Sequence, residues 1–193
     1  MSESGQNLTN WHYWQCSPDV EPAAFGPYAG LVALWRSRLQ GGDILPPRSA
    51  FDFIDFRGWW GRVAIARIER DPFDVRFSLW GTQLTDWWGV DYTNRRLGEA
   101  AKNPELWSGT EGHYFARMAR EPFIGIACGQ LDQHDRSFKK VIGLDLPMGE
   151  GRTLTHVMAV HMEIALGTTP SDVMPDCPLV PVELSIAAFG DEG

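Results

Sequence analysis

The spacing of apolar residues predicts an amphipathic helix close to the start of the chain. Gly26-Pro27 opens it, because proline suits a first helical turn, and Gly41-Gly42 ends it. Between them the apolar side chains recur at helical spacing: Tyr28, Leu31, Val32, Trp35 and Leu39. Residues 1–22 are mostly polar and are predicted to form a tail or a lid.

Two strands follow the helix, near 60–69 and 75–82. Asp71-Pro72 lies between them, and proline at the second position of a turn is typical of a hairpin. Pairing about this turn places Phe77 and Leu79 on one face and Trp80 on the other, beside Ile65. Both faces are apolar, so we expect both to be covered, one of them by the helix.

Two further helices are predicted over 84–89 and 104–120, followed by three strands over 123–131, 138–147 and 154–163. Hairpin pairing gives the three strands one shared apolar face, interrupted only at Lys140 and His156. From residue 167 the chain is rich in proline, and the apolar run 179–189 is predicted to be an added edge strand or a docking segment. We therefore divide the chain into a tail (1–22), one domain (23–166) and an extension (167–193).

Composition narrows the partners and the compartment. The net charge is −8 and no long run of Lys or Arg occurs, which argues against binding to nucleic acid or to an anionic membrane surface. The three cysteines are odd in number and lack metal-ligand spacing, which favours a reducing compartment. The first residues do not resemble a signal peptide, and no run approaches the length of a spanning helix. We expect a cytoplasmic protein.

The order of helix, two strands, helices and three strands resembles that of the PAS domain family. Closer still are bacterial stand-alone PAS-like proteins, whose motifs are similar over roughly 24–164. The matching segments are Trp35-Arg36, Ile44-Leu45-Pro46-Pro47-Arg48, Arg76-Phe77-Ser78-Leu79-Trp80-Gly81-Thr82, Gly89-Val90-Asp91-Tyr92-Thr93 and Leu144-Asp145-Leu146-Pro147-Met148. Ser78, Trp80 and Asn94 depart from the family pattern. The resemblance implies an α+β fold with a five-stranded antiparallel sheet, helices on one face and the N-terminal amphipathic helix on the other.

The resemblance also implies a cytoplasmic, non-catalytic sensory or interaction domain that signals through a small ligand, a protein partner or both. Nine Trp, ten Phe and four Tyr are a surplus of rings that fits a thick core, a pocket or an interface. The predicted ligand-binding residues are Phe77, Leu79, Trp87, Trp88, Tyr92, Tyr114, Ile126, Cys128, Ile142, His156 and Met158. The predicted homodimer interface consists of Tyr28, Leu31, Trp35 and Trp80. No cofactor is assigned.

Sequence motifs for catalysis are missing, so we predict that the chain is not an enzyme. His156 is the sharpest chemical candidate, with a core histidine as the alternative. It cannot share a metal with His161, because residues five apart point to opposite faces of a strand. Asp145 is predicted to be paired or exposed.

Two alternatives stay open: a cone-shaped isomerase or dehydratase, and a structural domain without a ligand. A sheet whose first strand is central would favour the PAS-like interpretation, whereas a cone with inward Asp or Glu would oppose it.

Overall fold

Seven strands form one antiparallel sheet in the order β3-β2-β6-β5-β4-β1-β7 in the computed structural model, which describes residues 10–100 and 107–184. The strands are β1 (His12–Cys16), β2 (Val63–Arg70), β3 (Phe73–Trp80), β4 (Ile124–Leu131), β5 (Arg136–Glu150), β6 (Thr153–Ile164) and β7 (Val180–Pro181). The fold is therefore α+β, with seven strands in place of the expected five.

The two additional strands come from the segments assigned to the tail and the extension. β1 pairs with β4 through its register of Tyr13 with Ala127, so residues 12–16 belong to the sheet and do not form a tail. β7 pairs with β1 at the outer edge, which agrees with the edge-strand interpretation of the apolar run that begins at residue 179. Residues 1–9 and 185–189 lie outside the described residues.

The helices are short and irregular at their ends. They are α1 (Ala29–Ser37), α2 (Thr82–Trp88), α3 (Leu97–Ala100), α4 (Gly112–Arg120) and α5 (Pro170–Val173). Pro22–Tyr28 forms a 3₁₀ segment in which Gly26 has a positive φ of 53°, so the α-helix begins at Ala29 and is shorter than predicted at both ends. Trp107–Glu111 forms one π-turn before α4. Of the helix predicted over 104–120, residues 104–106 lie outside the described residues.

Side chains alternate between two differently covered faces of the sheet. Cross-strand pairs share a face, so the pairs Cys128–Ile142, Ile126–Leu144 and Ile65–Met158 identify one of them. We call it the helix face, because α1 covers it: the Trp35 indole N–H donates to the carbonyl of Pro147 at 2.6 Å. The other face carries Tyr13, Asp145 and His161. We call it the cavity face, and α2 and α4 lie over it.

The β2–β3 pairing differs from the predicted register because of a β-bulge at Ile65 and Ala66. Ala66 pairs with Phe77 and not with the predicted Leu79, a two-residue slip that keeps Phe77 on its predicted face, but beyond the bulge Ala64 pairs with Trp80. A one-residue slip exchanges the faces of a strand, so Trp80 joins Phe77 on the cavity face and Leu79 moves to the helix face. The two rings of Phe77 and Trp80 meet edge to face at 4.9 Å.

The predicted dimer residues pack inside the chain. Tyr28 and Trp35 have no exposed surface, and Leu31 is 3% exposed, because all three lie between α1 and the helix face. Trp80 is 9% exposed and lies on the opposite face of the sheet. The apolar stripe of α1 is therefore core, and the surplus of rings in this helix is explained by packing within this chain.

Candidate functional site

A cavity of about 90 Å³ lies on the cavity face, between the sheet and the residues of α2 and α4. One water molecule occupies about 30 Å³ in the liquid, so this volume holds several waters or a small organic molecule. Aromatic side chains form most of its wall, joined by two carboxylates, a histidine and an amide. The lining residues are Trp11, Tyr13, Phe77, Trp80, Trp88, Leu97, Glu111, Tyr114, Phe115, Ala127, Gln133, Asp145, Ala159 and His161.

Three glycines of β4 and β5 make room for the large side chains of the cavity face. A Cβ at Gly143 would lie 2.8 Å from the His161 ring, and one at Gly129 would lie 2.6 Å from Trp11. A Cβ at Gly125 would overlap the Tyr114 hydroxyl and approach Met118 at 2.9 Å. The glycines let the rings lie against bare backbone, which brings the polar tips of these side chains together.

Asp145 is the most deeply buried carboxylate of the cavity. It is 4% exposed on β5 and accepts a hydrogen bond of 2.7 Å from the Tyr114 hydroxyl of α4. Burial raises the pKa of Asp145 to about 7, since the single hydrogen bond from Tyr114 only partly offsets the loss of water. Asp145 can therefore exchange a proton near neutral pH.

Glu111 supplies the second carboxylate, from the π-turn that precedes α4. Burial of the carboxylate raises its pKa to about 7. Burial raises the pKa of Tyr13 well above its usual range, and the negative charges of Glu111 and Asp145 raise it further. The two acids therefore flank the same ring.

Two nitrogen atoms of the cavity wall lack partners within the part of the chain that the structure describes. His161 is 8% exposed and its Nδ1 has no hydrogen-bond partner there, and the same is true of Nε1 of Trp80, which is 9% exposed. Burial lowers the pKa of His161 to about 4, so its ring is neutral at pH 7. An unsatisfied buried polar atom costs on the order of 1–3 kcal/mol, so both nitrogens would gain from a hydrogen bond to water or to another molecule in the cavity.

Of the predicted ligand-binding residues, the structure brings Phe77, Trp88 and Tyr114 together in the cavity wall. Tyr92 lies behind them, with its ring 4.8 Å from that of Trp80. Trp87 lies elsewhere, 5.6 Å from the ammonium of Lys139.

The other six predicted ligand residues lie on the helix face: Leu79, Ile126, Cys128, Ile142, His156 and Met158. The shared apolar face of β4, β5 and β6, which was predicted to line a pocket, is packed core beneath α1. Ile126, Ile142 and Met158 have no exposed surface. His156 is half-buried there and contacts Thr155 Oγ1 at 3.0 Å.

Sequence reasoning missed the polar centre of the site. Asp145 was predicted to be paired or exposed, and it is both paired and buried. The missed residues are Trp11, Tyr13, Trp80, Glu111, Asp145 and His161. One available signal was the spacing of Gly125, Gly129 and Gly143, which recur on one face of adjacent strands and indicate close approach by large groups.

No group of three or more His, Cys, Asp or Glu suited to a metal ion occurs in residues 10–100 and 107–184. His156 and His161 lie on opposite faces, as their spacing predicts. Within those same residues, no helix has the length and apolar character needed to cross a membrane.

Comparison with known proteins adds no family to this description. No family model matches the chain, and neither the curated proteins nor the solved structures include a match. The function is therefore inferred from the cavity itself.

Proposed function

We propose that this chain is a non-catalytic sensory domain of PAS-like type that binds a small ligand in the cavity between the sheet and α2 and α4. The observation that carries the proposal is the combination of free volume with unpartnered polar atoms on Trp80 and His161. Ligand sites in proteins are concave and mostly apolar, with a few convergent polar groups, and this cavity has that composition.

The strand order supports the PAS-like part of the proposal. Among the five strands expected from the sequence, the first is β2, which lies inside the sheet between β3 and β6. The helices between β3 and β4 cover one face and α1 covers the other, in the arrangement that the resemblance implies. Fold alone does not assign an activity, so the ligand has to be tested directly.

The test compares the cavity face with the helix face. The purified protein is analysed by native and denaturing mass spectrometry for a bound molecule, and by thermal shift against a panel of charged and neutral metabolites. Ala159→Leu fills the cavity and should abolish any shift, whereas Met162→Leu, a volume-conserving change on the helix face, should preserve it. If no molecule co-purifies and no metabolite shifts the melting temperature, the ligand-free structural alternative replaces the proposal.

An acid–base enzyme is the second candidate, and the inward carboxylates favour it. Asp145 and Glu111 both have a pKa of about 7, as a general acid or base near neutral pH requires. The strand order, with the first of the five expected strands inside the sheet, favours the PAS-like proposal over the cone expected for an isomerase or dehydratase. Exchange of deuterium into small ketones in D₂O, followed by NMR, tests this candidate: exchange that Asp145→Asn abolishes would establish it over the sensory proposal.

A cytoplasmic location and contact with a second copy or another protein belong to the same proposal. Any such contact must use a surface other than the buried stripe of α1, since Tyr28 and Trp35 have no exposed area. Light scattering of the wild-type protein measures the self-association, and a monomer at micromolar concentration would remove the homodimer from the proposal.

A further inference from the structure

The cavity has a strongly one-sided charge. Its lining includes Glu111 and Asp145 but, among the described residues, no lysine or arginine. The Asp145 carboxylate has one hydrogen bond, from Tyr114, and the described residues offer no ion-pair partner to Glu111. Asp145 is buried and Glu111 is half-buried, and carboxylates shielded from water without a cation are unfavourable unless they take up protons or a positive charge arrives.

The wall around these carboxylates is aromatic. The rings of Trp80 and Trp88 meet edge to face at 5.4 Å, and those of Tyr13 and Tyr114 lie 4.6 Å apart. Trp11 lies 6.3 Å from Trp88. The negative faces of such rings attract a cation, and aromatic enclosures with carboxylates are the usual recognition mode for ammonium groups.

The unpartnered nitrogens supply an independent indication of a bound molecule. His161, neutral at pH 7 and 5.2 Å from the Trp88 ring, can accept or donate one hydrogen bond through Nδ1. Nε1 of Trp80 can only donate, so it requires a hydrogen-bond acceptor, such as an oxygen atom, on whatever fills the cavity. A cation that also carries a hydroxyl or carbonyl oxygen would meet both demands.

We propose that the cavity binds a small organic ammonium ion, with Asp145 and Glu111 as its counter-charges and the surrounding rings as its enclosure. This inference rests on the proposed function, because it names the ligand class of the same cavity. The volume of about 90 Å³ limits the ligand to a few heavy atoms beyond the ammonium centre.

The decisive experiment separates charge from shape. Choline and 3,3-dimethylbutan-1-ol are nearly isosteric and share the hydroxyl, but only choline carries a charge, and tetramethylammonium carries the charge without the hydroxyl. Calorimetric titration at pH 8 should show choline binding at least tenfold tighter than the neutral alcohol. Asp145→Asn and Glu111→Gln should each weaken choline at least tenfold, whereas the exposed Glu163→Gln should not change it.

The pH dependence tests the same counter-charges. The titratable groups facing the cavity are Tyr13, Glu111, Tyr114, Asp145 and His161. Between pH 6 and 8 the two tyrosines and His161 stay neutral, and the two carboxylates lose their protons. Choline itself does not titrate, so its affinity should rise severalfold over this range. Asp145→Asn should flatten the rise.

Three results would overturn the inference. Equal affinity for choline and the neutral alcohol would show an apolar cavity; the inference would fail while the proposed function survived. Binding of choline that is unaffected by Asp145→Asn and Glu111→Gln would place it elsewhere. No binding by choline, tetramethylammonium or ethanolamine would end the inference, and the metabolite panel with Ala159→Leu would then decide the proposed function separately.

Discussion

On the helix face, Ile126, Ile142 and Met158 have no exposed surface and lie under Tyr28 and Trp35, which are also fully buried. On the cavity face, Gly125, Gly129 and Gly143 take the corresponding positions, and the rings that fill the space come from other elements. One face is thus filled by the strands themselves. The other is filled from outside and retains a volume of about 90 Å³.

The polar groups show the same difference. The Tyr28 hydroxyl donates to the carbonyl of Ile142 at 2.9 Å and the Trp35 indole donates to Pro147, so the polar atoms of both rings on the helix face are satisfied. On the cavity face, Trp80 and His161 each leave a nitrogen without a partner among the described residues. A face optimised for stability satisfies its buried groups, so the unsatisfied groups of the cavity face are not explained by stability alone.

Trp35→Ala should cause the largest loss of stability. It removes a fully buried indole from the helix face and leaves the Pro147 carbonyl without its 2.6 Å partner. We expect the free energy of unfolding to fall by about 3–5 kcal/mol in urea titrations followed by circular dichroism. Phe138→Ala, at a side chain that is 68% exposed, should change it by less than about 0.5 kcal/mol. Comparable losses from the two variants would contradict the core role of α1.

Gly125→Ala should cause the next largest effect, on the cavity face. The new Cβ would overlap the Tyr114 hydroxyl and force the ring away from Asp145. Such overpacking costs about 1–3 kcal/mol, and it should also weaken ligand binding in the cavity. Gly30→Ala in α1 is the matched control: a Cβ there meets nothing within 4 Å, and we expect a gain of about 0.5–1 kcal/mol. A stable Gly125→Ala variant with unchanged binding would show that the cavity face tolerates repacking.

The positions of the strands could be predicted from the sequence better than the face of the sheet on which each side chain lies. The strands β2 to β6 and their antiparallel hairpins follow from alternation and turn residues. Hairpins centred on the predicted turns pair Ile126 with Ile142, whereas the structure pairs Ile126 with Leu144, a slip of two residues. Even slips preserve the face, so Ile126 and Ile142 do lie together on one side. The β2–β3 slip was odd beyond the bulge, which misplaced Leu79 and Trp80. The extra residue of the bulge is Ser78 in β3, and Phe73–Trp80 contains no glycine or proline that would predict a bulge there.

The site could be predicted only in part for a related reason. Phe77, Trp88 and Tyr114 were found because aromatic residues near a sheet are candidates for any lining. Whether an apolar face is a core or a cavity depends on what covers it, and α1 covers the helix face through contacts more than 100 residues apart in the chain. Asp145 was missed because its partner, Tyr114, lies on α4, 31 positions earlier in the chain.

The pH dependence of stability should differ between wild type and Asp145→Asn. Because the folded pKa of Asp145 is raised to about 7, the folded state holds a proton that the unfolded chain has released above about pH 4. The contribution of this proton to the free energy of unfolding is full below about pH 4 and is lost as pH rises through 7. Between pH 6 and 8 the free energy of unfolding of the wild type should therefore fall by about 1 kcal/mol relative to that of Asp145→Asn. His161, with its lowered pKa, acts in the opposite direction below pH 6.5 and is common to both proteins. Parallel urea-derived pH profiles for the two proteins would contradict a buried, proton-exchanging Asp145.

Cys16 and Cys177 offer the smallest but most specific test of the helix face. Their Sγ atoms lie 3.3 Å apart, both cysteines are buried and free, and together they link β1 to the segment that leads into β7. The hydrogen bond from Cys177 lowers the pKa of Cys16, so Cys16 should supply the attacking thiolate. With 2-hydroxyethyl disulfide, Cys16 displaces one molecule of 2-mercaptoethanol and Cys177 then displaces the second, leaving an internal disulfide and a mass lower by two hydrogen atoms. Cys128, buried on the same face without a thiol neighbour among the described residues, should remain reduced.

In the reduced protein Cys177→Ser should lower the free energy of unfolding by only about 0.5 kcal/mol, because a thiol contact contributes little. Mixed disulfides that persist on Cys16, with no internal bond, would show that β7 does not hold Cys177 against β1.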